Sequence, residues 1–321
     1  MPLADSVTAH LGEFVPPLVA CYAYLFLYCG RAARLARQGR PVPRWRMAMF
    51  VSGVVLMTAV QVGPLDTLAD DVLYAHMLQH IVIGDIASLL IVLGLTGPLL
   101  APLLRIRPTR PLRVLAHPAV ALVLWGVDMY AWHSPLLYQL AVRHDLVHAL
   151  EHACFLWFGT LLWLALIGPL PKPRWFAGFG RLAYVVGVRL LGGILGNILL
   201  WDQALIYPVY RASDTARGLN PMTDQRIAGT VMMIEQILLT NLIFGWLFFR
   251  FLLQAEQRQR LLDLAGARGI PLSEERAGRA AAAGAAARLG ERVLAERAEA
   301  GPSAAAGSPP PRRASAPPPR G

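Results

Sequence analysis

Residues 72–96 read VLYAHMLQHIVIGDIASLLIVLGLT. Apart from a few polar side chains the run is apolar for longer than the roughly 20 residues that a helix needs to cross a bilayer. His76 and His80 stand four apart in it, so they share one helix face. Imidazole is costly in hydrocarbon, and an ionisable residue inside such a run points to a functional role.

Working outward, six more apolar runs lie at about 14–30, 45–63, 117–134, 145–169, 181–203 and 225–252. The chain of 321 residues is 55% hydrophobic and 16% charged, values of a membrane protein and not of a soluble domain. The pattern predicts an all-α, polytopic membrane protein with seven transmembrane helices and the lipid bilayer as its surroundings. Residues 1–254 form the transmembrane domain on this reading. Residues 255–321 form an Arg/Ala/Pro-rich tail, partly helical and then disordered around Pro309–Pro311 and Pro317–Pro319.

The net charge of +10 resembles a nucleic-acid signal until the charges are located. Arg31, Arg34, Arg37, Arg40, Arg44 and Arg46 crowd the first loop. Arg105, Arg107, Arg110 and Arg113 crowd the third, and Lys172, the chain's lone lysine, joins Arg174 and Arg181 in the fifth. Intervening segments are poor in basic residues, with Asp66, Asp70 and Asp71 in the second loop. This alternation follows the positive-inside rule and puts the N-terminus outside and the C-terminus in the cytoplasm. Nucleic acid is therefore not an expected partner. The first apolar run lacks a basic n-region and a small-residue cleavage site, so it reads as a retained span. Cys21, Cys29 and Cys154 form no C-x-x-C pair, which suggests neither a disulfide framework nor a thiolate metal site.

On this topology six of the eight histidines lie toward the outer side: His76, His80, His133, His144, His148 and His152. His144, His148 and His152 repeat the four-residue spacing, with Glu151 beside the stripe. Imidazoles at this spacing can share a metal ion, and a second helix can complete the site. Thioethers at Met77 and Met129, with Met57, Met222 and Met232 further candidates, favour copper over harder cations. Two other readings stay open. His148-Ala149-Leu150-Glu151-His152 fits the H-x-x-E-H pattern of a membrane zinc metalloprotease. Histidines on facing helices can also be axial ligands of haem. His10 is a further candidate ligand, and His117, before Pro118, needs only a helix-entry role.

Asp85 lies about 20 Å from the outer end of its span and Arg189 about 12 Å from the inner end of its own, at a 1.5 Å rise per residue. In a core about 30 Å thick these depths are similar, which predicts a buried charge pair. Glu235, Asp128, Asn197 and Asn241 are further intramembrane polar groups, and Gly192, Gly193 and Gly196 allow close helix contact.

Several motifs then occur in order. They are His76-Met77-Leu78-Gln79-His80, Leu93-Gly94-Leu95-Thr96-Gly97-Pro98, His117-Pro118, Trp132-His133-Ser134-Pro135-Leu136-Leu137-Tyr138, His148-Ala149-Leu150-Glu151-His152 and Asp224-Gln225 with Gly229 and Met232. This series resembles the CtaG-like family of seven-span bacterial cytochrome c oxidase assembly factors, over roughly residues 15–250. The resemblance implies a non-enzymatic, multi-pass protein of the bacterial inner membrane. Its partners would be cytochrome c oxidase subunits or other assembly factors, and its task would be maturation of the haem–copper oxidase by transient copper handling.

Overall fold

Proline positions set several helix boundaries. Pro118 and Pro135 each occupy the first helical position, where the missing N–H has no intrahelical partner to lose. The computed structural model describes residues 3–62, 64–102, 114–176, 178–282 and 284–299, and among them every regular element is helical. The arginines of the third loop and the two proline clusters near the C-terminus lie outside the described residues.

In chain order the helices are α1 (Leu3–Arg37), α2 (Arg44–Val62), α3 (Pro64–Ala69) and α4 (Leu73–Gly94). Next come α5 (Gly97–Leu100), α6 (Pro118–Trp132), α7 (Pro135–Arg143), α8 (Asp145–Leu166) and α9 (Phe179–Trp201). The series ends with α10 (Arg211–Ala216), α11 (Pro221–Gly266), α12 (Glu274–Ala282) and α13 (Ala286–Glu299). Five of these, α2, α4, α8, α9 and α11, are long and apolar enough to cross a membrane. Helix α6 is apolar but has 15 residues. At 1.5 Å per residue it is about 22 Å long, against a hydrocarbon core of about 30 Å. The apolar run 14–30 lies within α1.

Large apolar side chains face outward on these helices, among them Phe26 at 78%, Leu190 at 61% and Leu242 at 70% exposure. Such surface is a liability in water and is matched by lipid.

The chain divides into two compact units, Met1–Phe244 and Gly245–Gly321. In the second, Leu261, Ala277 and Leu289 are buried in a small apolar cluster, and Arg279 pairs with Glu275 one helical turn away. The Ala-rich tail thus buries an apolar stripe of its own before residue 299.

Within the first unit, α4 departs from regular α geometry over Val82–Ala87, which form a π turn. A π turn inserts a residue into the helical repeat and frees a carbonyl, and such turns gather at functional positions. Here the Asp85 carbonyl accepts a hydrogen bond from Trp163 Nε1 of α8 at 2.9 Å. Helix α8 comes this close because Gly159 has no side chain. A Cβ there would collide with the Gly84 carbonyl oxygen. On the other flank a Cβ at Gly53 of α2 would meet the Ala87 carbonyl at 2.9 Å.

Gly159→Ala tests this crossing. The clash is with backbone, so the helices must part, and overpacking of this kind costs about 1–3 kcal/mol or more. We expect a clear fall in thermal stability in detergent, while Gly30→Ala, with nothing within 4 Å, stays near wild type. Equal stability of both variants would reject the close crossing.

Candidate metal centre

The π turn and the Gly84–Gly159 contact lie just below the histidines of both helices. His76 and His80 sit on the first turns of α4, and His148 and His152 on the first turns of α8. One ring nitrogen from each of the four falls within 4.8 Å of all the others. His76 Nε2 and His80 Nε2 are 2.8 Å apart. Two imidazole nitrogens that close need one proton between them or one cation against both lone pairs. Ligand nitrogens about 2.0–2.1 Å from one ion stand at comparable separations.

Glu151 joins this cluster. It is fully buried, and Oε2 lies 3.7 Å from His80 Nε2 and 3.9 Å from His76 Nε2. Neither of its oxygens has a hydrogen-bond partner, nor have His80 Nδ1, His148 Nε2 or His152 Nε2. Native interiors rarely leave so many polar atoms unpaired in one place. A cation would satisfy imidazole lone pairs and a carboxylate together, so the donor set fits a metal ion. Imidazole ligation suits zinc, copper, iron and nickel alike.

A tyrosine layer orients the cage. The Tyr210 hydroxyl lies 2.8 Å from His76 Nδ1 and 3.1 Å from the Tyr138 hydroxyl. Tyr207 donates to the His133 carbonyl at 2.6 Å. Burial, above all, pushes the phenols of Tyr138, Tyr207 and Tyr210 well above their usual range, so all three stay hydroxyls. Partners of this kind fix ring orientation and tautomer at metal sites.

The remaining residues of the first motif hold the helix in place. Gln79 donates to the Val60 carbonyl at 2.8 Å and to Asp66 Oδ1 at 2.7 Å. The N-terminus of α4 has no cap from its own flanking residue. Instead Asp224, at the start of α11, accepts from the backbone N–H of Leu73 at 2.6 Å and of Tyr74 at 3.0 Å. A carboxylate there also complements the positive end of the helix dipole. Gln225 accepts from Ile206 N–H and donates to the Ala204 carbonyl, pinning the segment that carries Tyr207 and Tyr210. At the other end of α4, Arg46 donates to the carbonyls of Leu93 and Leu95, both at 2.9 Å.

Other residues that the sequence brings forward fall elsewhere. His144 is not in the cage. It is exposed and extended at φ −139°, the flanking residue of a helix that begins at Asp145, so the four-residue repeat stops before it. His133 ends α6 beside the cage, its ring centroid 5.9 Å from that of His80. Met77 and Met129 are buried with His80 and His133 around a small chamber, and Met232 joins them. Met57 packs instead against Cys21 in the α1–α2 core. His117 lies against Trp175, at the opposite end of α6. Asp85 and Arg189 form no ion pair with each other. Asp85 and Glu235 line one narrow cavity, while Arg189 lines an open groove with Asn197 and Trp201.

Nothing in the sequence singles out Tyr207 and Tyr210 for this site, and Gln225 stands out there only as part of the Asp224-Gln225 motif. The only signal of the two tyrosines is aromatic residues in a short loop between two apolar runs.

An all-helical bundle with membrane-length helices and a buried imidazole cage at one end is the class of protein that fold and site define. Residues 26–254 match the family described as cytochrome c oxidase caa3 assembly factor (Caa3_CtaG), and the chain belongs to that family. Uncharacterized proteins of Mycobacterium bovis and Mycobacterium tuberculosis are each 23% identical over 224 residues, which is 64% of this chain and 33% of theirs. One of Mycobacterium leprae is 22% identical over 223 residues, with 64% and 34% covered. The chain thus spans about a third of the length of the curated relatives it matches. No solved structure matches it.

The cap on α4 carries a pH signature. Burial first, and the charge of Asp224 second, raise the Asp214 carboxyl from 3.8 to about 7. The folded chain therefore holds a proton that the unfolded chain lacks between those values, and stability falls as pH rises through that window. Asp214→Asn should flatten this part of the profile of melting temperature against pH, and an unaltered profile would reject the assignment. Asp224→Ala removes two hydrogen bonds to a carboxylate acceptor, each worth about 1.5–3 kcal/mol, and should lower the melting temperature at neutral pH.

Proposed function

We propose that this protein is a seven-span assembly factor of the bacterial inner membrane that holds copper at the outer face for cytochrome c oxidase. The observation that carries the reading is the convergence of His76, His80, His148 and His152 within 4.8 Å. Family membership supplies the destination, an oxidase that contains copper. The four imidazoles hold the cargo ion, Glu151 offsets its charge, and Tyr210 sets the His76 tautomer. The C-terminus lies in the cytoplasm on this reading. Partners are oxidase subunits or other assembly factors, and the role is not enzymatic.

Two observations favour this over the rival chemistries. A hydrolytic zinc needs three protein ligands and an open position, whereas four imidazoles gather within 4.8 Å of one another here. The chamber beside His80 and His133 measures about 40 Å³, far too small for a porphyrin.

Metal analysis of the purified protein, with and without added copper, is the direct test. We expect bound copper in wild type, its loss in His148→Ala and His76→Ala, and its retention in His117→Ala and His144→Ala. Tyr210→Phe should weaken affinity about 10–100-fold, the usual cost of losing a partner that orients a ligand. Loss of copper and of oxidase maturation should coincide. Copper retained by a His76→Ala/His148→Ala variant would overturn the reading. Stoichiometric zinc, with proteolysis lost in Glu151→Gln, would replace it with the hydrolase, and a Soret band with haem.

Topology has its own probe in Lys172. Burial first, and Arg181 second, lower its ammonium from 10.5 to about 8, while Nζ donates to the Leu164 carbonyl at 3.0 Å. Above about pH 8 it is an amine nucleophile. A membrane-impermeant amine reagent should label it in inside-out vesicles and spare it in right-side-out ones. The reverse pattern would invert the orientation.

A further inference from the structure

Beside the cage, further along α4, lies a second set of soft donors. The chamber of about 40 Å³ is lined by Met77, Met129 and Met232 together with His80, His133 and Glu235. His133 Nδ1 is 2.7 Å from the Met129 carbonyl, which can only accept, so Nδ1 carries the proton. Nε2 is then a bare lone pair, and it is buried with no partner. Glu235 Oε1 is unpartnered too. His80 belongs to both places. Its Nε2 faces His76 in the cage, its ring lines the chamber, and its Nδ1 has no partner.

We propose that this chamber is a second metal site, specific for Cu(I), held by His133 Nε2 and the thioethers of Met77, Met129 and Met232. The proposal rests on the cage being a copper site and adds the oxidation state of the cargo and its route. Thioethers are neutral, soft ligands that select Cu(I) over zinc and the harder dications. All four donors bind without losing a proton, so entry of Cu(I) into the chamber adds a single positive charge. Glu235 and Asp85 stand in the wall to meet it. The ion passes from the cage by exchanging ligands around His80, with no bond broken except metal–nitrogen and none formed except metal–nitrogen and metal–sulfur. A chamber of this size also fits one water on His133 Nε2, and methionines commonly fill gaps in cores, so the experiment has to separate these.

The test is titration of the full-length protein in detergent with Cu(I), under a reductant and against a competing Cu(I) chelator. A parallel titration with zinc probes the cage alone. Wild type should take up two Cu(I), with sulfur visible in its X-ray absorption spectrum. A Met77→Leu/Met129→Leu/Met232→Leu variant conserves volume and should lose one Cu(I) and the sulfur signal while keeping zinc binding. A His148→Ala/His152→Ala variant should lose zinc and the cage ion but keep the sulfur-ligated one. Two Cu(I) with intact sulfur in the methionine variant would overturn the second site while the cage reading stands. A histidine variant unchanged in both metals would overturn the cage reading. A single Cu(I) in wild type without sulfur ligation overturns the proposal even if the methionine variant does not fold.

Discussion

The backbone contact between Gly84 and Gly159 governs where everything else in the site can be. Two helices bearing ordinary side chains pack about 8–10 Å apart, and imidazoles reaching across that gap meet only if the axes stay close at their level. Gly159 lets α8 settle against a carbonyl of α4, one to two turns below the histidines. The π turn at Val82–Ala87 places that carbonyl and turns the next one toward Trp163. A side chain at Gly159 would open the crossing at its narrowest point and carry the two histidine pairs apart. The cage is thus a product of helix approach first and of ligand chemistry second.

Its polar atoms are then held by groups drawn from distant parts of the chain. Helix α4 is fixed at its N-terminus by Asp224, along its side by Gln79 and at its C-terminus by Arg46. Negative charge at the start and positive charge at the end both complement the helix dipole. Rigid support of this kind matters more in a bilayer than in water, because an unpaired polar group in hydrocarbon has no solvent to turn to. The unpaired atoms of the cage, with His133 Nε2 and Glu235 Oε1 beside it, are therefore costly unless a ligand meets them.

Much of this is legible in the sequence, and the exceptions share a cause. Periodicity puts His76 with His80, and His148 with His152, on common faces, because four-residue spacing is a property of one helix. The same rule fails at His144, where the helix has not yet begun. Matching depths suggest a link between Asp85 and Arg189, but depth says nothing of azimuth, and the two line different openings. Asp224 stands out in the sequence as a motif without an evident task. That task, capping a helix 150 residues earlier, is a tertiary contact with no local trace. The tyrosines are hidden for the same reason. The five helices of spanning length follow from composition alone, which is why apolar runs predict them well.

The long-range cap has a consequence for how the protein is made. Leu73 and Asp224 are 151 residues apart, so the helix that carries His76 and His80 enters the membrane well before its capping carboxylate exists. At about 5–20 residues per second of synthesis, that interval is about 8–30 s. During it the tyrosines of the 207–210 segment are also missing, and the first histidine pair has neither its cap nor its orienting hydroxyl. The supports of the imidazole cage are therefore complete only late, when α11 begins.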